Sequence, residues 1–386
     1  MQYRIKNIEI ITASEVLEQD ILLSSGKFEA FIEKDSPTPN YEEIDGAGCF
    51  AYPGMLDLLS HGFGDHQYSD CEDTCISDNS KELLSFGVTG FCPSIISSVL
   101  DVHLKRINSL AKLSESATGA HVLGVHSEGP CMASSGIHPK ESLQKPSLEL
   151  AEQLLEAGQG KLKIVTLSPE LAGAEAFVQQ LTKNDVSCHL GHSYVPPEDV
   201  SRVIDFGINA VTHMFNVMLP GTVTIAGVTP ASQVEALIAD KRICMGIICD
   251  GVHNEKIRIK MLCQLAKERL FLETDSMKFS GRPAGRFEIA PGVFVNTAGE
   301  AAFDDAGALA GSILTSDQAL RNFLEWGDGD LVRASWATSL NPARLINSDN
   351  EIGSIAVGKN ADFILLDSDY HVQKTFLDGV LVYNNV

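Results

Sequence analysis

Apolar and polar positions divide the 386-residue chain into two β-patterned ends and a different middle. Up to about residue 49 the chain reads as short strands, YRIKNIEIITA, DILLSS, GKFEAFIE and YEEIDGAGCF, punctuated by Gly, Ser and SPTP. Residues 352–386 read alike, with IGSIAVG, ADFILLD, HVQKTFLDG and VLVYNN joined by Gly and Asp turns. Isolated hairpins are only marginally stable, so the two ends are expected to fold together into one small sheet domain. The middle alternates helix-patterned stretches with eight apolar runs: AYPGMLDLL, GVTGFCPSI, HVLGVHSE, LKIVTLSP, VSCHLGHS, NAVTHMF, ICMGIICD and LFLETDS. That alternation is the signature of βα units on a parallel sheet, and eight units are what a (β/α)8 barrel needs. In SLELAEQLLEAG, Ser147 is the expected N-cap, with Leu148, Ala151, Leu154 and Leu155 on the buried face.

Composition narrows the function. With 44% hydrophobic and 21% charged residues the chain is an ordinary globular one. Its 29 Lys and Arg against 51 Asp and Glu give a net charge of -22, a field that repels nucleic acid and anionic lipid. No charge-free apolar run reaches membrane-spanning length and the N-terminus lacks a signal-peptide core, so a cytoplasmic location without membrane attachment is expected. Nine cysteines, several in apolar runs such as ICMGIIC, suit a reducing compartment. Cys71 and Cys75, near His66, lack the second pair that a structural zinc site wants and are expected as solvated loop cysteines.

In such a barrel the reactive groups stand at the C-terminal ends of strands. Six of the eight runs end in imidazole or carboxylate: His61; His126 and Glu128; His189 and His192; His213; Asp250 and His253; and Asp275. Singly, each has a bland reading, a satisfied core histidine or a turn cap. Together they resist it, because each would need its own buried partner. Glu128, His192 and His213 offer one oxygen and two nitrogens from three strands, a set that suits a catalytic divalent ion with an open position for water. Asp275 is placed to accept that water's proton. His126 and His189 alternate with the candidate ligands and are expected to point elsewhere or support them, while His103, His121 and His371 are read as surface or structural.

At these residues the sequence resembles the N-acetylglucosamine-6-phosphate deacetylases of the amidohydrolase superfamily. The matching segments are YPGMLDLLSHGFGD, GVHSEGPCMASSGIHP, LGHSYVPPEDV, THMFNVM, GIICDGVHN, ETDS, LAGSILT, NPARLI and IGSIAVGKNADFILLD. The resemblance implies a (β/α)8 TIM barrel over 50–345 with a small β-sandwich from 1–49 and 346–386, acting as a homodimer on a small amino sugar. It implies one divalent metal on Glu128, His192 and His213, with Zn2+ expected ahead of Fe2+, Mn2+ or Co2+. It further implies Asp275 as base and then acid, and His138 as the group that polarises the acetamide carbonyl. Asn216, Val217, His253 and Leu309, Ala310, Gly311 and Ser312 correspond to substrate contacts.

Two departures stand out. Where many amidohydrolases carry His-x-His after strand one, this chain has Leu59 and His61, so a full second metal site is not expected and His61 is left as an extra contact. The family's loop after the strand-six Asn usually brings an Arg to the phosphate. Here it reads VMLPGTVTIAGVTPAS, and no Lys or Arg occurs between Arg202 and Lys241. Lys278, Arg282 and Arg286 are the alternative cations. The competing readings are therefore a deacetylase of N-acetylgalactosamine 6-phosphate or of an unphosphorylated N-acetyl compound, and a non-catalytic sugar sensor.

Overall fold

The computed structural model describes residues 2–218, 221, 225–290, 293–307 and 309–385. Eight strands pair in parallel, in sequence order: β1 (Met55–Ser60), β2 (Val88–Ile95), β3 (Val125–Glu128), β4 (Leu162–Leu167), β5 (Ser187–Leu190), β6 (Ile208–Val211), β7 (Cys244–Ile247) and β8 (Leu270–Leu272). Each is followed by a helix: α1 (Cys75–Leu83), α2 (Leu100–Leu113), α3 (Leu148–Gly158), α4 (Ala174–Thr182), α5 (Val200–Asp205), α6 (Gln233–Ala239), α7 (Lys256–Leu265) and α8 (Ser316–Trp326). The ring closes at the strand C-termini, where Asp275 N–H donates to Leu59 O (2.8 Å) and His61 N–H donates to Ser276 O (2.7 Å). Closure thus occurs beside the polar residues singled out above.

The strands are apolar on both faces because both are covered. Leu58, Cys92, Ile164, Ala210 and Phe271 fill the barrel interior with Leu345 and Ile346, while Val165 and Leu167 point outward into the helix layer. Ser147 Oγ caps α3 by accepting from Leu150 N–H (3.1 Å). The buried stripe of α3 is Leu150, Ala151, Leu154 and Gly158, whereas Leu148 is exposed, contrary to the expected face. At about 100° per residue, Leu148 lies roughly a quarter turn off that stripe. Cys75 is buried at the start of α1 and Cys71 is half-buried, so neither is a solvated loop thiol. Burial pushes the Cys75 thiol up to about 12.

Both termini build one mixed sheet, ordered Val380–Asn384, Val372–Leu377, Phe363–Leu366, Glu42–Pro53, Gln2–Ile11, Asp20–Ser24, Lys27–Ile32. The two ends of the chain meet where Phe363–Leu366 runs antiparallel to Phe50–Pro53. The sheet curls over its own core, bringing the Phe28 and Phe363 rings to 5.6 Å and stacking Phe363 on Phe376 at 4.3 Å. IGSIAVG, expected as a strand, is irregular, since Gly353 and Gly358 hold positive φ (84° and 90°); its Ile355 still enters this core. A four-stranded antiparallel sheet between β8 and α8 (Arg286–Ala290, Val293–Ala298, Ala301–Phe303, Leu309–Ser312) is an addition that the βα alternation does not predict. Among the described residues, no helix is long and apolar enough to cross a membrane.

One ion pair ties the terminal sheet to its loops. Arg4, 5% exposed, meets Asp20 Oδ2 at 2.6–2.7 Å and also donates to Ser36 O, Thr38 Oγ1 and Lys34 O. Removing one partner of such a pair leaves a buried charge uncompensated. Asp20→Ala is expected to lower stability in urea unfolding by about 3–5 kcal/mol. A loss below about 1 kcal/mol would place this pair in the class of exposed salt bridges.

Candidate active site

Glu128, at the end of β3, is 3% exposed, and its two carboxylate oxygens face different neighbours. Oε1 lies 3.1 Å from His192 Nε2 and 3.0 Å from His213 Nε2, and those two nitrogens are 3.2 Å apart. Oε2 lies 3.1 Å from His61 Nε2 and 3.3 Å from His138 Nε2. His61 Nε2 is in turn 3.2 Å from Asp275 Oδ1. Strands β1, β3, β5, β6 and β8 therefore converge on one carboxylate. Burial alone would raise the Glu128 pKa, but His138, His192 and His213 outweigh it and hold the carboxyl well below its usual range. For His61, burial opposes the charge, yet hydrogen bonds to Asp275 and Glu128 lift it to about 10.

The second nitrogen of each ring fixes what the first can do. Ser134 O and Ser94 O can only accept, so His192 and His61 carry a proton on Nδ1 (3.1 and 3.2 Å). The Nε2 of His192 then faces the site with a lone pair when its ring is neutral, whereas the Nε2 of His61, between Glu128 Oε2 and Asp275 Oδ1, carries a proton towards them. His138 is the reverse: Ser97 N–H donates to its Nδ1 (3.0 Å), which puts the ring proton on Nε2. His138 is therefore a hydrogen-bond donor towards the site, although by position alone Glu128, His138 and His192 form a possible metal cluster. The donor set of Glu128, His192 and His213 fits a cation. Ligand atoms about 2.0–2.1 Å from a tetrahedral Zn2+ are separated by roughly 3.3 Å, and the three atoms here are 3.0–3.2 Å apart.

Buried acids outside this set shape the strand ends. Glu273 accepts from His213 N–H, and burial, partly opposed by His213, raises its carboxyl to about 8. Asp57 receives Thr274 Oγ1–H (2.6 Å) and the N–H groups of Thr274 and Leu59 (both 3.3 Å), holding the end of β8 against β1. Burial raises the Asp57 carboxyl to about 6, with the Thr274 bonds opposing it. His192, His213 and Asp275 all hold positive φ (52°, 36°, 50°), a conformation that costs non-glycine residues of order 1–3 kcal/mol each. Gly136 packs on His192: a Cβ there would stand 2.8 Å from the ring. The strand-end pattern does not single out Asp57 or Glu273, although an acid inside an apolar strand run is the signal that marks both.

The imidazoles and Asp275 open into a cavity of about 180 Å³, also lined by Asn216, Val217, His253, Leu309, Ala310 and Gly311. All six are among the residues expected to contact substrate; Ser312, expected with them, is buried behind the cavity wall, its Oγ accepting from Leu314 N–H (3.1 Å). Asp250 does not reach the cavity and holds His253 Nδ1 at 2.5 Å. His126 is buried below the site, bonded to Leu58 O and Thr166 Oγ1, and burial lowers it to about 4; His189 pairs with Ser187 Oγ. His103 is buried on Ser127 Oγ. Of the alternative cations, Arg282 is committed to Glu82 and Asp65, and Arg286 to Asp305. Lys278 instead lines a second cavity that adjoins the first. Part of the VMLPGTVTIAGVTPAS loop lies outside the described residues.

The two classes of imidazole are separable by metal content. Glu128→Gln, His192→Gln and His213→Gln are expected to lose stoichiometric divalent metal after reconstitution and desalting, whereas His138→Gln retains it. Loss from His138→Gln equal to that from His192→Gln would overturn the assignment of its ring proton.

Comparison with known proteins places the chain in a family. Residues 50–382 match the model of the amidohydrolase family. The human N-acetylglucosamine-6-phosphate deacetylase is 30% identical over 98% of this chain and 94% of its own length. The N-acetylgalactosamine-6-phosphate deacetylase of Escherichia coli O157:H7 is 31% identical over 85% of this chain and 86% of its own. An Asp-to-Ala mutant of the Mycobacterium smegmatis N-acetyl-D-glucosamine-6-phosphate deacetylase, solved in complex with N-acetyl-D-glucosamine-6-phosphate, superposes with a TM-score of 0.88 at 25% identity, covering 99% of this chain and 100% of that one. The chain belongs to the amidohydrolase family and, within it, to the N-acetylglucosamine-6-phosphate deacetylases.

Proposed function

We propose that this chain is a metal-dependent deacetylase of an N-acetylated amino sugar phosphate, foremost N-acetylglucosamine 6-phosphate, releasing acetate and the free amine. The observation that carries the reading is the single buried carboxylate on which His192, His213, a donor imidazole and the His61–Asp275 pair all converge. Glu128, His192 and His213 would hold the cation, with Zn2+ the first expectation for an N,N,O set. When bound, the cation supplies Lewis acidity and lowers the pKa of water from 15.7 towards about 7.

The chain's own groups do the rest. Asp275 takes a proton from the attacking water, and His61 Nε2, 3.2 Å from its Oδ1, orients it. His138 Nε2–H donates to the acetamide oxygen as negative charge grows there. Asp275 then returns the proton to nitrogen as the C–N bond breaks. Asn216, Val217, His253 and the backbone of Leu309–Gly311 would seat the sugar. Homodimerisation and a cytoplasmic setting belong to the same proposal. The first rests on the resemblance, and the second suits nine free thiols.

The 6-phosphate is the feature with least local support, because among the described residues no Lys or Arg lines the cavity that contains His213, Asn216 and His253. This observation favours a second reading, with an N-acetylgalactosamine 6-phosphate or an unphosphorylated N-acetyl sugar as substrate. Comparing kcat/KM across phosphorylated and free N-acetylhexosamines decides between them, and N-acetylglucosamine 6-phosphate is expected to lead. Asp275→Asn is expected to keep its metal and lose about 10²–10⁴-fold in kcat. Wild-type turnover in that variant would refute the proton-transfer role.

A further inference from the structure

A second cavity, of about 290 Å³, meets the first at His61, Ile137, Asp275, Ala310 and Gly311. Beyond that shared wall it is bounded by residues that follow β1 (Gln67, Ser69, Asp70), β2 (Ile96) and β8 (Met277, Lys278), and by Arg106 of α2. The first cavity extends to the opposite side, over β3, β5, β6 and β7. Asp275 thus stands at the partition between two chambers.

The two halves of an amide leave its carbonyl carbon in different directions. With the amine half beside Asn216, Val217 and His253, as the proposed function has it, the acyl half points across Asp275 into the second chamber. A methyl group occupies about the volume of one water, roughly 30 Å³ in the liquid, and so leaves most of that space unfilled. The polar groups there are mainly donors. Ser69 is 6% exposed and its buried Oγ has no hydrogen-bond partner. Gln67 spends its carbonyl oxygen on Lys278 N–H (3.0 Å), which leaves its amide N–H groups for a ligand. Among the described residues, neither Arg106 nor Lys278 forms an ion pair, and the Lys278 ammonium lies 5.4 Å from the Phe279 ring centroid. Among the described residues, Asp70 is the one acid unique to this chamber, and it pairs with neither cation.

From this arrangement we infer that the second chamber is an acyl-side subsite for an N-acyl group longer than acetyl and ending in a carboxylate, bound by Arg106, Lys278, Ser69 and Gln67. The inference rests on the deacylase reading and changes its substrate class, to the mono-amide of a dicarboxylic acid on an amino sugar. The reaction remains hydrolysis. Water adds its oxygen to the acyl carbon, the C–N bond breaks, nitrogen takes up the proton relayed by Asp275, and the products are the dicarboxylate and the amine. The missing sugar-side cation is then explained, since the substrate's anionic group lies on the acyl side.

The test compares N-acetyl, N-succinyl and N-succinamoyl glucosamine, each with and without a 6-phosphate, as substrates of the metal-loaded full-length protein. The succinamoyl compound matches the succinyl one in size without its charge. The expected result is a kcat/KM for N-succinyl at or above that for N-acetyl, and about tenfold or more above that for N-succinamoyl, the scale of one charge-assisted hydrogen bond. The succinyl-to-acetyl ratio is expected to fall about tenfold in Arg106→Gln and in Lys278→Gln, a readout independent of how much active enzyme each variant yields. Three results would overturn the inference: N-succinyl hydrolysis about a hundredfold below N-acetyl, an unchanged ratio in both variants, or variants that lose only the preference for a 6-phosphate, which would assign the chamber to the sugar phosphate. Hydrolysis of none of the six compounds would instead reject the deacylase reading on which it rests.

Discussion

A carboxylate removed from water must be compensated where it stands, and the architecture of this protein is arranged around that requirement at Glu128. Four imidazole nitrogens lie within 3.3 Å of its two oxygens, and every one comes from a different stretch of chain. No local segment can supply them. Only a closed ring of parallel strands brings the ends of β1, β3, β5 and β6 together, with the β3–α3 loop folding back to add His138. The cost of burying the acid is thereby coupled to completion of the barrel. The same arrangement leaves two imidazole nitrogens and one carboxylate oxygen at the spacing of a metal's ligand edge.

Position alone does not make these side chains functional, and the neighbouring polar groups give each a defined role. Ser134 O and Ser97 N–H differ only in whether they accept or donate, yet that difference separates a candidate ligand, His192, from a proton donor, His138. Glu273 holds the backbone amide of His213, whose φ is positive, and Asp57 clamps Thr274 next to Asp275. Strained backbone at three site residues persists because buried hydrogen bonds on every side over-determine it. Stability is spent on geometry where the chemistry is to occur.

Much of this is legible in the sequence, for identifiable reasons. Parallel strands covered on both faces appear as uninterrupted apolar runs, so the eight barrel strands and the polar residues ending them stand out. The terminal strands alternate and are equally plain. What escapes is of two kinds. Leu148, IGSIAVG and the Cys71–Cys75 stretch depend on which side of an element faces inward, and at a helix start or between glycines the local pattern does not decide that. The antiparallel sheet over residues 286–312 carries clear turn signals, NTAGEAAF among them, but no period that links it to the βα repeat. Asp57, Glu273, Ser97, Gln67 and Arg106 act through contacts made only in three dimensions. The identity of Glu128, His192, His213 and Asp275 as a set is readable; the direction of each ring proton is not.

Titrating Zn2+ into metal-free wild-type protein while following carboxylate release from an N-acyl glucosamine 6-phosphate tests the central claim most directly. A site built on one carboxylate and two imidazoles predicts no turnover without metal, a linear rise with added ion, and a plateau at one equivalent. Full turnover in the metal-free protein, or a plateau reached only at two equivalents, would contradict it.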